Sequence, residues 1–488
     1  MKASLNSLQK GLLLITIVLF ITTPLFAAET IQKILLLDAN QTYQTIDGFG
    51  VNITPAQWQG GHLKPVIDLI VDDLGSTLIR FDCWGRADWL DPKKRTASGK
   101  YPQDYLKAVY TGPIFHDAWE TFRYFNSKGI EPFFNVSGRI PPELAGADGQ
   151  TLVDFDGYAE MCVTLLKWAR EKEQLKFSLF APFNETDLGF PEGPKLPAKY
   201  SLPAVAAIVK KLKEAGLSDV RLVVLGDSWP HLEKIEPLLN TAEFLPHIYA
   251  FSTHTYGNGG DQEAGNDWFL AETPYAKFVK TVRNSPFKLA SRWLTEYGDL
   301  DQTGEVEFGV AWRSTRRLLK CLADGFTAAQ VWDAFDNLHL HDNAWATYGL
   351  FHTDTLHWTY SPKRRYYAAK QVYRHVKPGF VRVKIDVPSR DKDDVYALWH
   401  EPLKHLRVLA FVSKDKKDFT IVGMSTIEFD TRLKIHLKGV ALPEGKSVHY
   451  FRTRRHEDYV SVPAINLSGE MLEASIPENS IFTLTTIP

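Results

Sequence analysis

Short apolar runs alternate with longer helical patterns along the chain between residues 45 and 376. The runs have the length of buried strands, and the segments after them repeat apolar positions at helical spacing. This alternation indicates repeated β-α units around a parallel sheet. The eight predicted strands are Ile46–Ile53, Thr77–Asp82, Ile130–Val136, Phe177–Phe183, Arg221–Leu225, Tyr249–Thr253, Leu289–Thr295 and Thr327–Asp333.

Helical patterns separate many of these strands. The predicted helices include Val153–Arg170, Leu202–Ala215, Tyr275–Val282, Phe308–Leu322 and Lys363–Val376. Eight β-α units close naturally into a barrel, whose active site lies at the C-terminal ends of its strands. We therefore predict an α/β fold with a (β/α)8 TIM barrel, the catalytic domain, over residues 45–376.

The pattern changes after Gly379 to alternating apolar and polar positions, as in Val381–Asp386 and Arg432–Leu437. Such alternation, with turn residues between the runs, is typical of an antiparallel β-sandwich. We predict a C-terminal β-sandwich domain over residues 377–488. The strand-like Ile34–Ala39 has no helix attached, so we expect residues 29–44 to join this sandwich.

The N-terminus has the layout of a secretory signal peptide. Lys2 and Lys10 precede the apolar run Gly11–Thr22, and the small pair Ala27 and Ala28 follows. The run is shorter than the roughly 20 residues that a membrane-spanning helix needs. We predict that residues 1–28 are removed on export, that the protein does not insert into the membrane, and that it is secreted or periplasmic.

Composition argues against several classes of function. The chain has 56 basic and 58 acidic residues and a formal charge of −2, which gives no electrostatic reason to expect a nucleic acid or an anionic membrane as partner. The three cysteines, Cys83, Cys162 and Cys321, are odd in number and far apart. We interpret them as buried free thiols because they do not form a disulfide framework.

Two glutamates follow predicted strands. Glu185, in Phe-Asn-Glu-Thr-Asp, ends the fourth strand, and Glu296, in Trp-Leu-Thr-Glu-Tyr, ends the seventh. The strand ends of a barrel converge, so both side chains should reach one cleft. Cleavage of a glycosidic bond with retention requires two carboxyl groups roughly 5 to 5.5 Å apart. The alternative is a structural pair held by basic side chains.

Other predicted strand ends carry groups suited to binding a sugar. They are Arg80 on the second strand, Asn135 on the third, Asn184 on the fourth, Asp227 on the fifth, His254 and Tyr256 on the sixth, and Trp332 on the eighth. A cation such as Arg80 beside Glu296 would keep that carboxyl ionised. Asn184 could donate to a sugar hydroxyl, and Trp332 could stack on the ring.

Thirteen tryptophans are a heavy load, and flat indole rings stack well on the C–H faces of sugars. The candidates in or near βα loops are Trp58, Trp84, Trp89, Trp229 and Trp345, of which we assign Trp84 and Trp229 to substrate binding. Trp168 and Trp312 lie inside predicted helices, and core packing accounts for them better.

The segment after the eighth strand contains His339, His341 and Asp342, with His352 shortly after. Imidazoles and carboxylates are good metal ligands, so a metal site is one reading. Retaining glycoside hydrolysis needs no metal, and we expect none, nor any other cofactor. We assign His341 to substrate binding, with plain loop packing as the alternative.

The pair Asn184-Glu185, Glu296, Arg80 and Trp332 together resemble the retaining glycoside hydrolases of clan A. The opening phrase Gln44-Thr-Ile-Asp-Gly-Phe-Gly50 and a C-terminal sandwich ending in Ile476-Pro-Glu-Asn-Ser-Ile-Phe-Thr-Leu are similar to glycoside hydrolase family 30 and its close relatives. The resemblance implies that Glu185 is the acid/base and Glu296 the nucleophile. The clan usually has Pro soon after the acid/base, whereas Thr186 and Asp187 follow here.

The sequence therefore predicts an exported β-glycoside hydrolase that cleaves β-linked poly- or oligosaccharides by double displacement and works as a monomer. The same two carboxylates serve β-xylanases, β-glucanases, β-galactanases and exo-acting β-glycosidases, and the sequence leaves this choice open. An alternative of a different class is a non-catalytic carbohydrate-binding protein on a glycosidase-like barrel, since a fold alone does not guarantee activity.

Overall fold

The computed structural model describes residues 31–54, 58–82, 88–257, 273–300, 308–336, 340–341, 344–345, 347–386, 406–426, 430–443, 445–465 and 467–488. The predicted signal peptide lies outside these ranges. Within them, no helix combines the length and the apolar character needed to cross a membrane.

A long strand, β1 (Ile31–Thr45), precedes eight strands that close in chain order into a parallel barrel. These are β2 (Gly48–Ile53), β3 (Leu78–Asp82), β4 (Phe133–Asn135), β5 (Leu179–Ala181), β6 (Arg221–Asp227), β7 (Ile248–Gly257), β8 (Ser291–Asp299) and β9 (Ala328–Val331). Each barrel strand overlaps one of the eight predicted strands. The predicted barrel is confirmed.

Helices surround the barrel. They are α1 (Lys64–Asp68), α2 (Gln103–Tyr110), α3 (Pro113–Ser127), α4 (Phe155–Glu171), α5 (Ala198–Glu214), α6 (Leu232–Leu239), α7 (Pro274–Arg283), α8 (Phe308–Asp324) and α9 (Arg364–Tyr373). Side-chain caps fix where some of them begin. Asp154 accepts from the N–H of Gly157 at 2.8 Å at the start of α4, and Thr273 accepts from the N–H of Ala276 at 3.1 Å at the start of α7.

The barrel interior is packed with side chains. The buried cluster inside it consists of Phe133, Ala181, Val223, Ala250, Trp293 and Ala328. Three alanines leave room for the large Trp293 ring, whose Nε1 donates to Asp47 at 2.8 Å. The helices pack on the opposite faces of the same strands, so the functional groups are left at the open C-terminal end of the barrel.

A bulge in β8 determines where its polar side chains point. Leu294 and Tyr297 both pack into the core between barrel and helices, although they are three residues apart. Relative to β7 and to β9, β8 has one extra residue between them. Bulges re-aim side chains and are common beside active sites. Here the extra residue puts Glu296 on the face of β8 opposite to Leu294 and Tyr297, in register with His254 of β7.

Two small antiparallel hairpins lie between β9 and α9. One pairs β10 (Leu340–His341) with β11 (Ala344–Trp345), and the other pairs β12 (Phe351–Asp354) with β13 (Thr359–Pro362).

The C-terminal strands form a ten-stranded sheet together with β1. They are β14 (Val381–Asp386), β15 (Leu406–Val412), β16 (Phe419–Ser425), β17 (Thr431–Lys438), β18 (Val448–Arg454), β19 (Glu457–Ile465), β20 (Leu467–Ser468), β21 (Met471–Ile476) and β22 (Ser480–Thr485). β1 pairs with β14 antiparallel and with β17 parallel, and the remaining neighbours are antiparallel. β19 and β21, from opposite halves of the sheet, contact each other, so the sheet curls over its own apolar core.

The curled sheet covers the flank of the barrel through α9. Gln371 donates from Nε2 to Thr453 at 2.9 Å, and its carbonyl accepts from the hydroxyl of Thr483 at 2.7 Å. Thr420 donates to the carbonyl of His375 at 2.8 Å. These buried polar contacts fix the second sheet to the barrel. Elsewhere in the barrel domain, Cys162 and Cys321 are buried thiols.

Candidate active site

Glu185 lies four residues beyond β5, at the start of a tight turn. Its N–H donates to the carbonyl of Gly226 at 2.9 Å, and its own carbonyl accepts from the N–H of Leu188 at 3.0 Å. The backbone φ of Glu185 is 38°, in the left-handed region that residues with side chains seldom adopt. Residues held in this way cluster at functional sites.

Asn184 is held by both its side chain and its backbone surroundings. Its Nδ2 donates to the carbonyl of Glu192 at 3.0 Å, and its Oδ1 accepts from Arg80. The loop that follows Asn184 folds back onto it at Gly193, where an added Cβ would lie 1.9 Å from the carbonyl oxygen of Asn184. Only glycine fits there, and this packing fixes the peptide that carries Glu185.

Arg80 joins three strands at the barrel mouth and is 1% exposed. Its Nη1 donates to Oδ1 of Asn52 at 2.7 Å and to Glu296, while Nη2 donates to Asn184. Asn52 in turn donates to the carbonyls of Thr295 at 2.9 Å and Val331 at 3.2 Å. The guanidinium is therefore held rigidly against the carboxylate of Glu296.

Glu296 receives a second donor from β7, the hydroxyl of Tyr256. A cation and a hydroxyl thus face this carboxyl group, and their hydrogen bonds fix its position. Burial and the negative charge of Glu296 hold the pKa of Tyr256 well above its ordinary value, so Tyr256 stays a hydroxyl donor.

His254 connects the two glutamates. Its Nδ1 lies 2.8 Å from Oε1 of Glu185 and 3.4 Å from Oε2 of Glu296. One oxygen of each glutamate and a ring nitrogen of His254 all lie within 4.8 Å of one another. Glu185 and Glu296 are 7% and 5% exposed, so both retain some access to solvent.

The surroundings shift the pKa values of Glu185 and His254 in opposite directions. Burial raises the pKa of Glu185 to about 8, and the charges of Asp187 and Asp227 add to this effect against the opposing charge of Arg80. Burial also lowers the pKa of His254 to about 4. Near neutral pH the site therefore contains a protonated Glu185 beside an uncharged imidazole.

The same three side chains are a possible ligand set for a metal ion, because their oxygen and nitrogen atoms lie close together. Arg80 already neutralises Glu296, however, and its positive charge would repel a cation at this point. The donor set therefore suits proton transfer better than metal binding. His352, from the segment considered for a metal, is exposed and lies 3.3 Å from Asp336, while His339 and Asp342 lie outside the described residues.

Asn135 and Asp227 are buried and form hydrogen bonds with other buried groups of the protein. Asn135 is fully buried and donates to Asp82 at 2.9 Å. Asp227 accepts from the hydroxyl of Thr186 at 2.7 Å and from Lys234 at 3.2 Å. Their hydrogen bonds within the protein support the strand ends and the loop that carries Glu185.

The tryptophans differ in their surroundings. Trp332 directly follows β9 and is half-buried, and its backbone N–H donates to the carbonyl of Tyr297 at 3.0 Å. Trp229 is 49% exposed and packs edge-on against Tyr275, whose hydroxyl donates to the carbonyl of His254 at 3.2 Å. The backbone of Trp332 is therefore bonded to β8, which carries Glu296, and the Trp229 ring packs on a tyrosine that is bonded to β7, which carries His254.

The prediction for Trp58 is wrong, because it is 4% exposed and packs in the core against Tyr124. Trp89 is partly buried and donates to the hydroxyl of Tyr110 at 3.2 Å. Trp84 lies outside the described residues, as do the side chains of His341 and Trp345.

Sequence reasoning missed Asn52 and the neighbours of Asp187. Asn52 lies near the C-terminal end of β2, so the strand-end rule that selected Arg80 would have found it. Asp187 accepts from the N–H of Ser228 at 3.1 Å and from its hydroxyl, and lies 3.3 Å from Nε2 of His231. No sequence pattern marks contacts between two loops of this kind.

No protein-family model matches the chain, and no curated protein matches it in sequence. Solved structures do match over most of its length. An endoxylanase of glycoside hydrolase family 30 from Clostridium papyrosolvens C71 matches with a TM-score of 0.64 and 16% identity, covering 92% of this chain and 99% of that one.

Two further structures are similar. One is an endo-β-1,6-glucanase, and the other is a conserved exported protein, which comes from Bacteroides fragilis. The glucanase has a TM-score of 0.63 and 14% identity and covers 94% of this chain and 96% of its own. The exported protein has a TM-score of 0.65 and 13% identity and covers 93% and 100%. The chain therefore has the fold of family 30 glycoside hydrolases, in agreement with the resemblance found in its sequence.

Proposed function

We propose that this protein is an exported, retaining β-glycoside hydrolase in which Glu185 is the acid/base and Glu296 the nucleophile. The observation that carries the proposal is the approach of an oxygen of Glu185 to within 4.8 Å of an oxygen of Glu296. Retaining enzymes hold their carboxyl groups roughly 5 to 5.5 Å apart, whereas inverting enzymes leave roughly 6.5 to 9.5 Å for a water molecule.

In the first step, Glu296 attacks the anomeric carbon and Glu185 protonates the oxygen that leaves. The pKa of Glu185, raised to about 8, supplies the proton at neutral pH. Arg80 and Tyr256 orient the carboxylate of Glu296 through their hydrogen bonds. The products of this step are a glycosyl ester on Glu296 and the released alcohol.

In the second step, Glu185 is ionised and removes a proton from water, which attacks the same anomeric carbon. The ester bond to Glu296 breaks, and the sugar leaves with its original configuration. His254 lies beside Glu185 through both steps. Because burial lowers its pKa to about 4, its imidazole stays neutral and does not compete for the proton that Glu185 exchanges.

Substrate contacts follow from the remaining groups at the barrel mouth. Asn184 is fixed by Arg80 and Glu192, and its second amide hydrogen would donate to a sugar hydroxyl close to the anomeric carbon. Trp332 and the exposed Trp229 offer ring faces for stacking. We assign Asn135 and Asp227 a supporting role beneath the sugar. Trp84 and His341 remain predicted substrate-binding residues.

The substrate class is a β-linked poly- or oligosaccharide. The similar structures are described as acting on xylan in one case and on β-1,6-glucan in another, so the fold accommodates different sugars. Export rests on the predicted signal peptide over residues 1–28, and one similar structure is described as an exported protein. We further propose that the protein acts as a monomer and needs no metal or cofactor.

The test replaces each glutamate by glutamine and assays aryl β-glycosides together with plant and fungal polysaccharides. We expect Glu296→Gln and Glu185→Gln to lose turnover on natural glycans by a factor of at least roughly 10³ while still binding them. Glu120→Gln, an exterior glutamate on α3 paired with Arg123, is the matched control and should behave as wild type.

The alternative, a non-catalytic carbohydrate-binding protein, gives a different result in the same assays. The wild type would bind glycan without turning over any member of the panel, and Glu296→Gln would leave binding unchanged. Turnover by the wild type that survives Glu296→Gln would instead reject Glu296 as the nucleophile.

A further inference from the structure

Asp187 ties the loop after β5 to the loop after β6. It is the third residue of the turn that begins at Glu185, which closes through the N–H of Leu188. Its Oδ1 accepts from the N–H of Ser228 at 3.1 Å, and its Oδ2 accepts from the Ser228 hydroxyl and lies 3.3 Å from Nε2 of His231. The carboxylate therefore points at the neighbouring loop and has a fixed position relative to Glu185.

We propose that Asp187 is a positioning residue for the acid/base: its fixed negative charge keeps the proton on Glu185, and its bonds to Ser228 hold the turn in place. This inference deepens the proposed function and rests on it.

The physical basis is the repulsion between like charges. Ionising Glu185 would place a second negative charge in the turn that already holds the charge of Asp187, so the protonated form is favoured. Asp187 itself remains charged: burial opposes ionisation, but the two hydrogen bonds from Ser228 and the charge of Lys234 hold its pKa below the ordinary value. Two carboxyl groups two residues apart are thus held in opposite protonation states, as two different roles require.

Other charged or titratable groups surround Glu185 from four barrel strands. His254 and Tyr256 lie on β7, Glu296 on β8 and Arg80 on β3, and Asp227 lies at the end of β6. Arg80 pairs with Glu296, and Asp227 pairs with Lys234. Among these groups, Asp187 lies closest in sequence and moves with Glu185, since the two share one turn.

The experiment compares Asp187→Asn with the wild type in the pH profile of kcat/KM. The substrate must have a poor leaving group, such as a second sugar, so that protonation by Glu185 limits the rate. The alkaline limb reports the ionisation of the free enzyme's general acid. We expect Asp187→Asn to move this limb to lower pH by roughly 0.5 to 1 unit. An alkaline limb at its wild-type position overturns the proposal.

Two further variants separate charge from structure. Ser228→Ala removes the hydroxyl that stabilises the charge on Asp187, and it should move the limb in the same direction by a smaller amount. Glu233→Gln removes a carboxylate of the same loop that contacts His231 and has a 63% exposed side chain. Its limb should stay at the wild-type position, and an equal shift in this control would also reject the proposal.

A measurement without turnover distinguishes failure of this inference from failure of the proposed function. The carboxyl carbon of Glu185 can be titrated by 13C NMR in the intact protein, with Glu185→Gln used to assign its signal. Its midpoint should fall in Asp187→Asn even if no glycan is hydrolysed. An unchanged midpoint rejects the role of Asp187, whereas a lowered midpoint without any hydrolysis rejects the proposed function alone.

Discussion

Nδ1 of His254 lies 2.8 Å from Oε1 of Glu185, and the imidazole is fully buried. Because the pKa of Glu185 is raised to about 8 and that of His254 is lowered to about 4, both groups are uncharged over the neutral range and share a hydrogen bond. His254 therefore orients a neutral acid and forms no ion pair with a carboxylate.

Replacing His254 by Phe tests this role, because the ring shape is kept and the nitrogen is lost. We expect kcat to fall by about 10- to 100-fold, with a smaller change in KM, since the acid loses the partner that orients its proton. Steady-state kinetics on a glycan with a sugar leaving group give the measurement. A variant with wild-type kcat would show that His254 only fills space.

Arg80 should not be replaceable by lysine. One guanidinium bonds Asn52, Asn184 and Glu296 at once, and an ammonium group cannot reproduce this fork from the same backbone position. We expect Arg80→Lys to lower kcat by roughly 100-fold or more while the protein stays folded. Steady-state kinetics measure the loss of kcat, and thermal unfolding checks that the variant is folded. A kcat near the wild-type value would contradict the role given to Arg80.

Glu185 should make folding stability depend on pH in a defined direction. Its pKa is higher in the folded protein, about 8, than the ordinary glutamate value of 4.5. Its contribution to stability is therefore fully present below about pH 4.5 and is lost as the pH rises through 8. Glutamine mimics the protonated acid, so Glu185→Gln should become more stable relative to the wild type at pH 9 than at pH 5, by about 1 to 3 kcal/mol.

Urea unfolding of both proteins at the two pH values measures this difference. Glu120→Gln, on the outside of the barrel, serves as the control and should show no such dependence. A relative stability of Glu185→Gln that does not change between pH 5 and pH 9 would show that the folded and unfolded chains hold the Glu185 proton equally well.

Replacing Trp229 should weaken substrate binding more than it slows the chemical step. Trp229 is 49% exposed and packs against Tyr275, whose hydroxyl donates to the carbonyl of His254 on β7. Loss of a stacking face outside the reacting sugar removes binding energy shared by the ground state and the transition state. We expect Trp229→Ala to raise KM for a polysaccharide by about 5- to 50-fold with kcat within a factor of about 2. A fall in kcat with constant KM would place Trp229 at the reacting sugar instead.

Sequence predicted the barrel well because strand patterns are local. Each of the eight barrel strands is an apolar run whose length and flanks are visible in the chain, and strand ends then locate Glu185 and Glu296. The exact orientation of Glu296 was not predictable, because it depends on a bulge that appears only in the register of β8 against β7 and β9.

Contacts between loops could not be predicted from the sequence either. Asp187 and Ser228 are 41 residues apart and meet only because β5 and β6 are neighbours in the barrel. Trp58 illustrates the opposite error: a loop position suggested exposure, whereas the ring packs against Tyr124 on α3. Side-chain burial in loops depends on the packing of distant elements, which no local pattern records.

The configuration of the first-formed product tests the central claim most directly. 1H NMR of a hydrolysis reaction on a β-linked oligosaccharide, recorded before mutarotation, shows which anomer is released. Carboxyl oxygens within 4.8 Å of each other predict the β-anomer, through a glycosyl ester on Glu296. Release of the α-anomer would mean that water attacks directly, and it would contradict the roles given to both glutamates.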